Sequence, residues 1–194
     1  MHNKFIIAVL VILLCACQSS PRKNYYVLSA ASPEPSGQVV DISQIIGIGP
    51  IEMADYLHRS QIAYVAEDMQ LVLEENDYWA EPLDKGIVRV LVLNLMQKDP
   101  SRSFVTFPWR SDSKPRYSLR LQIHSLNRNV GEASINSTWS LVDNPQRTEL
   151  LRRHFIQSTA ASIGVKGLTQ AYSQLLAQLA ERMDEELRKL PTDN

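Results

Sequence analysis

From Leu168 to Leu190 the chain carries Leu168, Tyr172, Leu175, Leu176, Leu179, Met183, Leu187 and Leu190. Spacings of three and four place these side chains on one face of an α-helix, with Gln170, Gln174, Gln178, Arg182, Glu185 and Arg188 turned elsewhere. Pro191 follows and ends it. A helix with one long apolar face needs an apolar surface of matching length, and such a stripe most often packs on the chain's own sheet. That sheet is legible just upstream. In "RYSLRLQIHSL", Tyr117, Leu119, Leu121 and Ile123 alternate with Ser118, Arg120, Gln122 and His124, and "EASINSTWSLV" repeats the pattern through Ala133, Ile135, Trp139 and Leu141. Asn127 to Gly131 is of hairpin length, and Leu150 to Ser158 supplies a third strand, giving an antiparallel meander with one half-solvated face.

Further strands are read at Asn24–Ala30, at Asp41–Met53 with its end near Pro50, and at Gln61–Val65 and Gln70–Leu73, with a turn near Glu67-Asp68. Ala31 to Gln38 is a Pro/Gly/Ser loop, and Ser101 to Pro115 has the composition of a connection holding at most a short strand. Ile87, Leu91 and Leu95 repeat every four residues, so a helix capped by Asp84 is expected there. The β-branched run Ile87-Val88 and Val90 also suits a buried strand; helix is the reading adopted. The fold class expected is α+β: one domain, a mostly antiparallel sheet and two main helices, the longer one C-terminal.

At the other end, one Lys in Met1 to Lys4 precedes about twelve apolar residues, Phe5 to Ala16. A spanning helix needs roughly 20 such residues, so the stretch has the form of a secretory signal. Leu14-Cys15-Ala16-Cys17 resembles the bacterial lipobox, with Ala16 as the small residue before the modified Cys17. Residues 1–16 are then a signal peptide cleaved between Ala16 and Cys17. Residues 17–24 are the lipidated Cys with its tether, and 25–194 the folded domain. The chain has two cysteines, so the mature domain, having lost Cys15, holds no thiol for disulfides and depends on its own core. Acylation, palmitate included, would anchor it at about 0.8 kcal/mol per buried CH₂. Gln18, in place of the Asp that marks inner-membrane retention, points to the periplasmic face of the outer membrane.

The formal net charge is −1, and loss of Lys4 with the signal lowers it by one more, which argues against nucleic acid as a partner. No His-Glu-x-x-His, His-x-His, Gly-x-Ser-x-Gly or phosphate-loop pattern occurs. His124 and His154 fall on candidate strands that can bring them together, as solvent-face residues more readily than as ligands. The sequence therefore specifies no catalytic residue, no metal site and no cofactor. Trp139 is read as core. Trp109, loop-borne beside Arg110, is a candidate partner contact because Trp and Arg are enriched in hot spots; capping of the domain's own core is the other reading.

"MADYLHRSQI" followed by "DYWAEPL" and a helix resembles the ABC-type transport auxiliary lipoproteins, as do "YYVL" close behind the lipidated Cys and the terminal helix. The motif positions are Tyr56, Leu57, Arg59, Gln61, Ile62, Trp79, Glu81, Pro82 and Leu83. Ala54 stands where the family commonly has Pro. Read physically, Tyr56, Leu57, Ile62, Trp79 and Leu83 are core, and Arg59 and Glu81 either pair or cap backbone ends. The resemblance implies a non-enzymatic lipoprotein that docks the far end of a periplasm-spanning MCE-domain protein anchored in the inner membrane. It also makes a ring-like homo-oligomer an expectation. The rival reading is a lipid carrier in its own right, with an apolar pocket between sheet and helices; a periplasmic hydrolase comes last.

Overall fold

The computed structural model describes residues 21–31, 41–110 and 114–191, and for 41–44 the backbone alone. The signal, Cys17 and most of the Pro/Gly/Ser loop lie outside the described residues. The alternating segments form the longest ladders. β6 (Tyr117–Asn129) pairs antiparallel with β7 (Glu132–Asp143), which pairs antiparallel with β8 (Thr148–Ala160). The first hairpin closes through Val130-Gly131 alone, and Gly131 takes the positive φ of 74° that the turn requires. Leu119, Leu121 and Ile123 point into the core opposite Leu141, Trp139 and Ser137. His124 is then the extra residue of a bulge between Ile123 and Ser125. The bulge shifts the alternation by one, so that Leu126 joins the core beside Ile135.

The other strands are β1 (Asn24–Tyr26), β2 (Asp41–Met53), β3 (Gln61–Val65), β4 (Leu71–Trp79) and β5 (Arg102–Thr106). A 3-10 turn, Asp55–His58, connects β2 to β3. The α+β reading holds, but the sheet is mixed: β2 lies parallel to both β5 and β6, β3 meets β6 parallel, and β1 runs parallel to β4. Only β3–β4 and the meander are antiparallel. One edge of β6 therefore carries β2 along its first half and β3 at its end, so the sheet branches there.

Both helices lie on one face, α1 (Leu83–Lys98) over β2 and β5 and α2 (Val165–Leu187) over β7 and β8, packed against each other. α1 settles the helix-or-strand ambiguity, with Ile87, Val90, Leu91 and Leu95 all at 1% exposure or less. Its N-cap is Pro82 and not Asp84; Asp84 sits in the first turn, where a carboxylate still favours the helix dipole. α2 begins three residues before Leu168 and stops at Leu187, short of Pro191, while Leu190 packs on the core from the following turn. Each fully buried Leu of its stripe contributes about 2 kcal/mol. At the rim, Arg102 of β5 pairs with Asp99 (3.2 Å) and with Asp184 of α2 (3.1 Å), joining both helices to the sheet edge.

Candidate functional site

The motif residues come together where the chain enters the domain. Leu57, Ile62, Trp79 and Leu83 are buried, and Tyr56 packs against them half-buried, its Oη accepting the Leu126 amide at 3.4 Å. The Trp79 amide donates to the Ser60 carbonyl (2.8 Å), and the Ala80 amide donates to Tyr26 of β1 (2.9 Å). Glu81 does not pair with Arg59, which is exposed. Its carboxylate instead accepts Nε of Arg89, eight residues on in the sequence, at 3.0 Å. Arg89 turns its Nη2 onto the Leu28 carbonyl (2.9 Å) as well. Gly86 makes room for this, since a Cβ there would meet the Glu81 Oε1 at 3.3 Å. Beyond Leu28, the Ser29 amide donates to Ser173 Oγ of α2 (3.1 Å) and the Ala31 amide to Asn94 Oδ1 of α1 (2.9 Å). Gln61 donates through Nε2 to the Glu74 carbonyl (3.4 Å), tying β3 to β4, and Pro82 opens α1 from an exposed position. The motif is thus a clasp that fastens β1 and the segment after it, the first strand among the described residues, to sheet and helices.

Trp109 and Arg110 stand at a different place, the connection after β5. The Trp109 ring meets Phe107 edge-on, centroids 5.1 Å apart at 84°, and lies over the backbone of Gly47 so closely that a Cβ there would be 2.8 Å from Trp109 Cζ3. Trp109 therefore covers its own sheet while remaining half-exposed, and Phe107 beside it is 46% exposed. With Pro50, Lys114, Arg120 and Arg147 these rings border a groove of about 440 Å³. Glu149 also lines the groove, so the rim carries charges of both signs; aromatic rings and Arg within a polar rim are the composition of a protein-docking hot spot.

His124 and His154 do approach each other across β7, each bonded to Thr138 Oγ1, at 2.8 Å from Nε2 and 3.2 Å from Nδ1. Among the described residues no group of three or more His, Cys, Asp or Glu side chains stands close enough to hold a metal ion. At the far end of β6, Tyr64 donates to Glu74 (3.0 Å) and accepts from Arg128 (3.4 Å), while the Tyr172 hydroxyl donates to the Asn127 carbonyl (3.3 Å). Burial pushes the Tyr172 hydroxyl far up, and burial, followed by the Glu74 carboxylate, raises Tyr64. Both phenols thus favour the protonated form and serve here as hydrogen-bond partners.

The space between helices and sheet decides what the domain can hold. It is lined by Leu28, Leu83, Ile87, Ile123, Leu126, Ile135, Tyr172, Leu175 and Leu176, and its open volume is about 10 Å³. That is at the limit for one water molecule and far below the roughly 300 Å³ of a small-ligand pocket. The interlayer pocket expected of a lipid carrier is filled by side chains.

A family model described as ABC-type transport auxiliary lipoprotein component matches residues 26–184, from the clasped strand to the Asp184 ion pair. The chain belongs to this family. Intermembrane transport lipoprotein PqiC of Escherichia coli (strain K12) is 23% identical over 192 residues, covering 97% of this chain and 100% of that protein, and PqiC of Shigella flexneri gives the same figures. The crystal structure of an uncharacterized protein superimposes with a TM-score of 0.71 at 22% identity, covering 86% of this chain and 99% of the other. A Xanthomonas campestris protein does so at 0.64 and 14%, covering 82% and 92%. The auxiliary-lipoprotein fold is therefore shared where few side chains are. No helix among the described residues is long and apolar enough to cross a membrane.

Proposed function

We propose that this auxiliary lipoprotein is acylated at Cys17, held on the periplasmic face of the outer membrane, and docks an MCE-domain protein that spans the periplasm in an intermembrane phospholipid transport system. The observation that carries the reading is end-to-end similarity to PqiC, a lipoprotein whose name states intermembrane transport. The lipobox and Gln18 supply the address. The filled interlayer space favours an adaptor over a lipid carrier, because no cavity there accepts an acyl chain. The groove at Phe107 and Trp109 is the docking surface, and its role is non-enzymatic. Several copies arranged as a ring would match the multimeric partner.

Separation of inner and outer membranes, with intact-mass measurement of the mature chain, tests the address. The expected result is an acylated chain starting at Cys17 in the outer-membrane fraction, released by Cys17→Ser and redirected to the inner membrane by Gln18→Asp. An unacylated chain, or one in the inner membrane from the start, overturns it.

A further inference from the structure

Three loops that lie far apart in sequence end at the same place. β3 runs parallel to β6 with Val65 beside Asn127, so the β3–β4 turn stands next to the β6–β7 hairpin. β8 ends opposite Glu132, and the Ala161 amide donates to the Gly131 carbonyl at 2.8 Å, so the loop into α2 joins them. Each loop holds out one aliphatic side chain: Met69 at 86% exposure, Val130 at 95% and Ile163 at 98%. No other large apolar residue among the described ones exceeds 65%. Between them is an open groove of about 470 Å³, walled by Tyr64, Val72 and Arg128.

The tether leads to the same end. β1 pairs parallel with β4, Asn24 beside Asp77, so the chain before Asn24 runs back along β4 toward the β3–β4 turn. Pro21 stands three residues before Asn24, as Glu74 stands three before Asp77. The four residues from Pro21 to Cys17 span about 13 Å when extended, and Glu74 to Met69 covers about 16 Å along the strand. The described chain before Asn24 therefore heads for the end of the sheet that carries the three aliphatic tips, the opposite end of the meander from the β7–β8 turn, and the residues from Cys17 to Pro21 have an extended reach comparable to the distance that remains. Charges around the tips are mixed, with Glu67 and Asp68 against Arg128 and Lys166, and Arg22 and Lys23 on the tether. Such an end has no strong field, and contact with lipid would rest on apolar burial.

We infer that Met69, Val130 and Ile163 form a membrane-facing end that enters the lipid surface beside the acyl anchor and fixes the domain's orientation, with the groove at Phe107 and Trp109 turned away from that membrane. This rests on acylation at Cys17.

The test uses the full acylated chain in vesicles of phosphatidylethanolamine and phosphatidylglycerol. Met69→Cys, Val130→Cys, Ile163→Cys and, in the β7–β8 turn, Gln146→Cys each receive an environment-sensitive fluorophore; all four sites are exposed, so the fold tolerates the change. The three tips are expected to shift to the blue and to lose roughly half their emission to a lipid-borne nitroxide, with no loss at Gln146→Cys and little dependence on salt. Vesicle-bound chain with no quenching at the tips, or equal quenching at all four sites, overturns the orientation and leaves the anchor standing. Blue-shifted tips that lipid-borne nitroxide does not quench mean that protein covers them, which also overturns it. Chain that fails to float with the vesicles refutes acylation and takes the orientation with it.

Discussion

The clasp makes a quantitative prediction at Glu81 and Arg89. Arg89 donates to the Glu81 carboxylate and to the Leu28 carbonyl, and the two side chains are 40% and 33% exposed. A fully exposed pair would contribute about 0.2–1 kcal/mol, and charge-assisted hydrogen bonds out of water about 1.5–3 kcal/mol each. At this partial exposure a coupling of about 1 kcal/mol is expected. Glu81→Gln and Arg89→Met, singly and together, measured by urea unfolding, isolate that coupling as the departure from additivity. Arg89→Met should cost more than Glu81→Gln, because it also leaves the Leu28 carbonyl without its donor. The loss should be local: exchange of the Ser29 and Ala31 amides accelerates in both variants, while amides of the β6–β7 ladder keep their protection in proportion to global stability. Additive single effects, or unchanged exchange at Ser29 and Ala31, would refute the view that the motif fastens the entering chain.

Three further outcomes follow from the packing. Arg102→Met leaves Asp184, 5% exposed, with Arg188 alone, and should cost about 3 kcal/mol in urea unfolding; Arg102→Met with Asp184→Leu should recover part of that, and a double variant worse than the single would count against it. Burial raises the Asp99 carboxyl, but hydrogen bonds from Ser101 and the Arg102 guanidinium more than offset this and hold it below the usual range. Its folded pKa is depressed, so its contribution is present above the unfolded value of about 3.9 and is lost as pH falls through the folded value. Asp99→Asn should accordingly lower stability at pH 7 and converge with the parent in acid, as read by unfolding at both pH values. Gly47→Ala forces a Cβ to 2.7 Å from Pro115 Cγ and 2.8 Å from Trp109 Cζ3. A cost of about 1–3 kcal/mol and a red shift of tryptophan emission are expected, and unchanged emission would show that Trp109 does not cover this backbone.

The parts of the fold visible in the sequence are those specified by local period. The stripe from Leu168 and the alternation of Tyr117–Ile123 and Ala133–Leu141 each name a buried face, and each is buried as read except at half-buried Leu190, beyond the helix end. Strand pairing is different. The Ile-Gly alternation of β2 marks it as strand without saying that both neighbours run parallel, because that follows from connections passing through α1 and β5. The bulge at His124 is equally silent, since only the partner's register shows that one residue is extra.

The candidate site divides the same way. Leu57, Ile62, Trp79 and Leu83 are legible as core from residue type, and Trp109 as a loop aromatic. Glu81's partner is not legible, because Arg59 belongs to the same motif while Arg89 lies eight residues on, and only the start of α1 at Leu83 swings Arg89 to it. Met69, Val130 and Ile163 carry no signal singly; each is one aliphatic in a polar turn, and topology alone makes them a group.

The most direct test of the account replaces the exposed Phe107 by p-benzoylphenylalanine in the full acylated chain and irradiates living cells. An adaptor that docks its transport partner through this groove yields a covalent adduct whose second component is an MCE-domain protein, and the adduct disappears with Arg120→Glu. A chain that sits in the outer membrane and forms no adduct there, or only adducts with proteins outside the transport system, would contradict it.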